Sequence, residues 1–263
     1  MDLWRFMDGT LDPGKALDGE YNLVLVGLSY AVAALAAFAA LYIAAQAQDE
    51  GNTRARRLGW VGFGGLFMGS GIWAMHFIGM LAYSLPMTVT YDPVLTIISV
   101  IPGILGSAAA LYVLSTSEPS HRSVVGGSLF LAAGIGVLHY TGMEAMRMEG
   151  VLRYDVTLFV GSVLVAFLLA LIALYARFLI EPRSSGLGVK AISAAVIGAA
   201  VSGMHYTAMG ASYFFPPESG LSDTMGAVTG PVAYDASLLA GAIGLVTVVL
   251  LSIPLLGAMM QAD

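Results

Sequence analysis

Three histidines stand in otherwise apolar stretches, and each is followed four residues later by methionine: His76 and Met80, His139 and Met143, His205 and Met209. On a helix, residues four apart share a face, so each pair presents an imidazole and a thioether side by side. An imidazole in an apolar helix is costly unless its neighbours satisfy it or it has a task. Imidazole with thioether, and without thiolate or dense carboxylate, is a soft ligand set that suits copper, above all Cu(I), better than zinc, calcium or magnesium. Six donors exceed what one Cu(I) takes, which leaves open one ion with spare ligands or two or more ions. Haem is the second possibility, since His and Met both serve as axial ligands, but no C-x-x-C-H attachment motif is present. Met75 and Met204 directly precede two of the histidines and point about 100° away around the helix, while Leu138 fills that place in the middle copy. These two methionines and Met146 are secondary candidates. A single His-x-x-x-Met would be ordinary core packing; the repetition argues for a site.

The repetition is an internal repeat. GIWAMHFIGMLA (71–82), GIGVLHYTGMEA (134–145) and AVSGMHYTAMGA (200–211) align without gaps, their histidines 63 and 66 residues apart. Each interval holds about one helical hairpin. Gly79, Gly142 and Ala208, between each His and Met, are small enough to admit a helix or ligand. Tyr21-Asn22, Tyr91-Asp92, Tyr154-Asp155 and Tyr234-Asp235 each open an odd-numbered apolar segment. Asn22, Asp92, Asp155 and Asp235 read as N-caps, and the tyrosines as an interfacial belt. Ser29, Ser99 and Ser162 recur eight residues after the first three tyrosines and read as small polar residues for close helix approach. Glu144 occurs only in the middle copy and is expected to face water or pair with Arg147. His121, in SEPSHRS, reads as a solvated loop residue.

The elements that must position these residues are membrane-spanning helices. The 263 residues are 58% hydrophobic and 11% charged, against roughly 25% charged in soluble domains. Seven apolar stretches of bilayer-spanning length are predicted, near 22–46, 58–82, 93–114, 124–146, 157–179, 189–212 and 236–259. The fold expected is an all-α integral membrane domain over 21–260: three repeated helical hairpins plus a seventh helix, around a pseudo-threefold axis that gathers the histidines. Residues 1–20 are expected to form an outer arm, acidic and possessing no signal-peptide pattern, lying on the surface as a helix anchored by Trp4 and Phe6. Seven of the eleven Lys and Arg, including Arg54, Arg56, Arg57 and Arg122, fall on one side. The positive-inside rule then puts the N-terminus outside and the C-terminus in the cytoplasm. No basic stripe for nucleic acid is present, and the absence of Cys excludes thiolate ligands. Span seven carries no Lys, which excludes a retinal protein, and no nucleophile–base pair points to an enzyme.

Three Met-His-Tyr-Thr-like copies on alternate helices of a seven-helix chain resemble the MHYT domain family. Met204-His205-Tyr206-Thr207 is complete; Leu138 replaces Met in the middle copy, and Phe77-Ile78 replaces Tyr-Thr in the first. The resemblance implies a multi-pass sensor of the bacterial inner membrane that binds copper near the outer face and detects a diatomic gas (O2, CO or NO) or redox state. It also implies signalling to a cytoplasmic output domain, such as a cyclic di-GMP enzyme or histidine kinase, or to a partner protein. Such an output domain is not among these residues. The alternative function is a copper or small-molecule transporter using the His and Met side chains as a relay.

Overall fold

The computed structural model describes residues 5–7, 11–48, 51–116, 119–180, 187–217 and 236–259. Its long elements are helices α1 (Leu23–Ala47), α2 (Arg54–Ala82), α3 (Pro93–Ile98), α4 (Val100–Leu114), α5 (His121–Glu144), α6 (Val156–Ile180), α7 (Leu187–Gly210) and α8 (Ala236–Met259). Six spans, with α3 and α4 together forming one, are long and apolar enough to cross a bilayer. The chain is a multi-pass membrane protein. Within α8 the described apolar stretch is the shorter Leu238–Val249.

The third span is broken because Pro102 has no N–H to return to Ile98, so the helix restarts at Val100. Ser99 sits at the junction, its N–H donating to Leu95 O at 2.9 Å. Asn22, Asp92 and Asp155 stand at the starts of α1, α3 and α6. Asn22 Oδ1 accepts from Val24 and Leu25 N–H, Asp92 Oδ1 from Val94 and Leu95, and Asp155 Oδ1 from Leu158. Asp235 lies outside the described residues.

The spans form a closed ring in the order α1, α2, α4, α5, α6, α7 and back to α1, with α8 lying against α1 and α2. Between apolar helices in lipid, close packing rather than water exclusion holds the ring together. Gly65 and Gly69 of α2 supply it, four residues apart on one face. A Cβ on Gly65 would stand 2.9 Å from Ala108 Cα, and one on Gly69 would meet the backbone of Ile104. The outward surface is apolar, with Leu105, Phe130 and Ile192 each 65–67% exposed.

Short strands qualify the all-α expectation. Each hairpin is closed at its His-bearing end by its own antiparallel ribbon: β1 (Glu20–Tyr21) with β2 (Tyr83–Ser84), β3 (Val89–Tyr91) with β4 (Met146–Met148), and β5 (Val151–Tyr154) with β6 (Ser212–Phe215). The registers match across the repeats, Tyr21 opposite Tyr83, Tyr91 opposite Met146 and Tyr154 opposite Ser212. So do the bonds beneath them: Asn22, Asp92 and Asp155 N–H donate to Ala82, Ala145 and Ala211 O, each at 2.8 Å. The three hairpins are therefore copies in space as well as in sequence.

The N-terminal arm differs from the surface helix expected. Residues Arg5–Met7 run extended along β5, with Tyr154 N–H donating to Arg5 O (2.7 Å) and Met7 N–H to Tyr154 O (3.0 Å). Among the described residues of the arm, the helical turn is the 3-10 segment Pro13–Lys15, and Leu17 N–H then donates to Phe214 O at 2.7 Å. Trp4 lies outside the described residues. The arm thus crosses the ribbon end of the bundle, where its backbone donors find strand partners.

Candidate metal centre

His76, His139 and His205 occupy the last two turns of α2, α5 and α7, and the pseudo-threefold arrangement brings them together on the bundle axis. Their Nδ1 atoms form a nearly equilateral triangle, 3.1 Å from His76 to His205 and 3.2 Å on the other two sides. The rings stand edge to face, with centroids 4.9–5.1 Å apart, as a three-bladed propeller. Each is 1% exposed.

No assignment of protons satisfies this cluster by itself. A neutral imidazole has one N–H and one lone pair. One Nδ1–H can be shared across the triangle; a second would point at the first. The three Nε2 atoms are buried, without partners among the described residues. Two of them press on the small residues of neighbouring repeats: a Cβ on Gly142 would collide with His76 Nε2, and one on Gly79 with His205 Nε2. His76 and His205 are thus seated against glycines, and all three histidines turn Nδ1 inward.

A cation satisfies all three inward lone pairs at once. The triangle's centroid lies about 1.8 Å from each Nδ1, and an outward shift of about 0.2 Å would reach the roughly 2.0 Å bond of imidazole to a first-row metal. The donor set suits copper or zinc and is poor for calcium or magnesium. The residues present therefore fit a metal ion.

The six candidate methionines are all buried, 0–4% exposed. Met80, Met143 and Met209 lie one turn beyond the histidines towards the ribbons. Met204 reaches across to α5, its Cε 3.9 Å from where a Cβ on Gly136 would stand. Met146 does not continue the His139 and Met143 face, because α5 ends at Glu144 and Met146 lies on β4 opposite Tyr91.

The surroundings hold partners that the sequence did not disclose. Ser29, Ser99 and Ser162 each donate to the carbonyl three residues back, Val26, Thr96 and Phe159, at 2.7 Å. With those protons committed, the hydroxyl of Tyr206 donates to Ser29 and that of Tyr140 to Ser162, each at 2.8 Å. Where Phe77 stands in the first copy, Trp73 Nε1 donates instead to Thr96 O at 2.8 Å. All three seams between repeats are thus tied one turn or less from a histidine. Each also carries an edge-to-face ring pair: Phe77 with Tyr91, Tyr140 with Tyr154, and Tyr206 with Tyr21. Tyr91 and Tyr154 are buried, so they pack inside the ribbon end of the bundle rather than in a lipid-facing belt. Burial pushes both phenols up, and Glu144 adds to the rise at Tyr154. Burial, with Tyr83 and Tyr206 nearby, pushes Tyr21 up to about 12.

Of the two expectations for Glu144, its side chain does reach water, at 40% exposure, and its ion pair is with Arg5 instead of Arg147. Glu144 meets Arg5 at 3.0 Å, while Arg147 meets Asp92 at 3.0 Å and donates to the Glu144 carbonyl at 2.9 Å. The backbone N–H of Leu95, helped by Arg147, holds the Asp92 carboxyl below its ordinary value. At the other end of the bundle, His121 begins α5 and pairs with the Tyr175 hydroxyl of α6 at 2.9 Å, rather than standing free in a loop.

The family model described as the MHYT "bacterial signalling protein N terminal repeat" matches residues 69–127 and 133–188. The chain is 40% identical over 200 residues to the bifunctional diguanylate cyclase/cyclic di-GMP phosphodiesterase MucR of Pseudomonas aeruginosa, covering 75% of this chain and 29% of MucR. It is 32% identical over 210 residues to the cyclic di-GMP phosphodiesterase NbdA of the same organism, covering 79% of the chain and 26% of NbdA. Against the signaling protein YkoW of Bacillus subtilis it is 31% identical over 197 residues, 74% of the chain and 24% of YkoW. The chain thus spans less than a third of the length of these relatives. No solved structure matches it. With two repeats matched by the family model and the third carrying Met204-His205-Tyr206-Thr207 in full, the chain belongs to the MHYT family.

Proposed function

We propose that this chain is the membrane sensor of a signalling system and that it holds a copper ion on the Nδ1 atoms of His76, His139 and His205. The observation that carries the reading is the buried triangle of Nδ1 atoms, 3.1–3.2 Å on a side, whose lone pairs have no other common partner. Copper held there would supply a one-electron couple and a Lewis-acidic centre for a diatomic ligand such as O2, CO or NO. Met80, Met143 and Met209, one turn further on the same helix faces, offer thioethers that favour Cu(I) over zinc. In this reading the positive-inside rule turns the Arg-rich end of the bundle to the cytoplasm and the ribbon end to the outside of the bacterial inner membrane, with α8 as the seventh span.

The histidines belong to three different repeats. A change in how their rings are held therefore shifts α2, α5 and α7 relative to one another. The seams at Tyr206–Ser29, Tyr140–Ser162 and Trp73–Thr96 carry that shift to α1, α6 and α3, and α8 senses it through its contact with α1 and α2. Signalling requires the two arrangements to differ in affinity for the ligand. A cyclic di-GMP enzyme is the output that MucR and NbdA suggest. Transport is disfavoured by the axis below the triangle. It is a cavity of about 50 Å³ lined by alanines and aliphatic residues, with Met68 and Ser107 as its soft or polar groups.

Elemental analysis of protein purified in lipid nanodiscs tests the reading. One copper per chain is expected, lost when any one of the three histidines is changed to alanine. Protein that takes up no copper in excess of zinc, or retains it in the triple His→Ala variant, refutes it.

A further inference from the structure

A second concave site lies on the flank of the bundle, away from the axis. It is a groove of about 610 Å³ between α3, α5 and α6 at the ribbon end, a size typical of small-molecule sites. Its floor is apolar and narrow in side chain, with Ala132, Ala133 and Gly136 of α5, flanked by Leu95 and Val163. Val137 on the same wall is 52% exposed, so the groove opens to the lipid-facing side. Its upper end is built from aromatic rings. Tyr140 lies 4.2 Å from Phe159 in a tilted stack, with Phe6 edge-on to Phe159 at 5.2 Å.

Among the described residues, two donors at that end lack acceptors. Tyr154 lines the groove and is 5% exposed, yet its hydroxyl has no partner. Arg5 uses Nη2 on Glu144, leaving Nη1 buried and unpaired. A buried donor without an acceptor costs about 1–3 kcal/mol, so the pair points to something that arrives. Because Glu144 already balances Arg5, a phosphate headgroup would gain no net charge and would meet the carboxylate. An uncharged acceptor meets no such penalty.

We infer that the α3/α5/α6 groove binds a membrane quinone, its planar ring resting against the Tyr140, Tyr154 and Phe159 cluster, a ring carbonyl accepting from the Tyr154 hydroxyl and Arg5 Nη1, and its isoprenoid tail along Ala133 and Gly136 into the lipid. The site is distinct from the histidine triangle, although Tyr140 directly follows His139 in sequence. It does not depend on copper.

The test is binding of a short-tailed ubiquinone and of a short-tailed menaquinone to the protein in phosphatidylcholine nanodiscs, with copper content measured on the same samples. Saturable binding of one quinone per chain is expected. Tyr154→Phe, which removes one hydroxyl and keeps the ring, is expected to weaken it about three- to tenfold. Ala133→Phe, at an exposed position, is expected to abolish it by filling the floor. Copper content is expected to stay unchanged in both, so a failed metal site and a failed quinone site are told apart. Absence of saturable binding, or binding indifferent to both substitutions, overturns the inference. So does displacement of the quinone by phosphatidylglycerol that binds with the same dependence on Tyr154, which would make the occupant an anionic lipid.

Discussion

The hydroxyl between Tyr206 and Ser29 offers a quantitative test of how the repeats are joined. Ser29 is fully buried, and its proton is committed to Val26 O at 2.7 Å, so the Tyr206 hydroxyl is the donor across the seam at 2.8 Å. Tyr206→Phe therefore removes a bond without orphaning Ser29, which keeps its own acceptor. The cost is the net worth of one interhelical hydrogen bond, about 1 kcal/mol in a membrane protein. Ser29→Ala removes the same bond from the other side, and the half-buried Tyr206 hydroxyl can turn to water or headgroups. A double-mutant cycle on these two positions is expected to give a coupling of about 1 kcal/mol. Tyr140 and Ser162 should give a similar value, because the same two bonds recur there. Phe77 and Ser99 should give none, since Trp73 ties that seam instead. The assay is reversible unfolding of the detergent-solubilised protein, scored by loss of helicity. Coupling below about 0.3 kcal/mol at both tyrosine seams, within the usual error of additivity, would refute the assignment of these bonds as the ties between repeats.

Other outcomes follow from the same geometry. Gly142→Ala and Gly79→Ala put a Cβ into His76 and His205 Nε2, and each is expected to lower copper content at least tenfold, whereas Ala208→Gly retains it; elemental analysis decides. Gly65→Leu drives a side chain into the Ala108 backbone and is expected to cost at least about 3 kcal/mol or abolish folded protein, read by size-exclusion profile and unfolding. Asp92 has a depressed carboxyl pKa, so its contribution is present above the ordinary value and lost as pH falls through the lower, folded value. Asp92→Asn keeps the cap and loses the Arg147 pair, so its thermal midpoint should fall less steeply than that of the parent chain below about pH 4.

Much of the centre is legible in the sequence because repetition removes the ambiguity of single residues. His76, His139 and His205 could be aligned without gaps, and three equivalent hairpins imply an axis on which equivalent residues meet. The ribbons are too short, at two to four residues, to show the period-2 alternation that marks a strand. For the same reason the i+3 spacing from Met143 reads Met146 as part of a helix face, whereas it belongs to a strand. Arg5 and Glu144 are far apart in the chain, so local spacing offers Glu144 only water or Arg147. The tyrosines looked interfacial because Tyr suits a membrane boundary. What buries Tyr91 and Tyr154 is tertiary: the ribbons, the aromatic residues after each histidine and, over Tyr154, the arm. The small residues at 79 and 142 were legible as a place of close approach, but only the fold reveals that the approaching groups are the histidines of neighbouring repeats.

The most direct test of the central claim is X-ray absorption spectroscopy at the copper edge of the loaded protein in nanodiscs. Three imidazole nitrogens at about 2.0 Å are expected, and any residual copper signal in a single His→Ala variant is expected to show at most two. A first shell made of sulfur or oxygen without imidazole, or one unchanged by loss of the histidines, would contradict it.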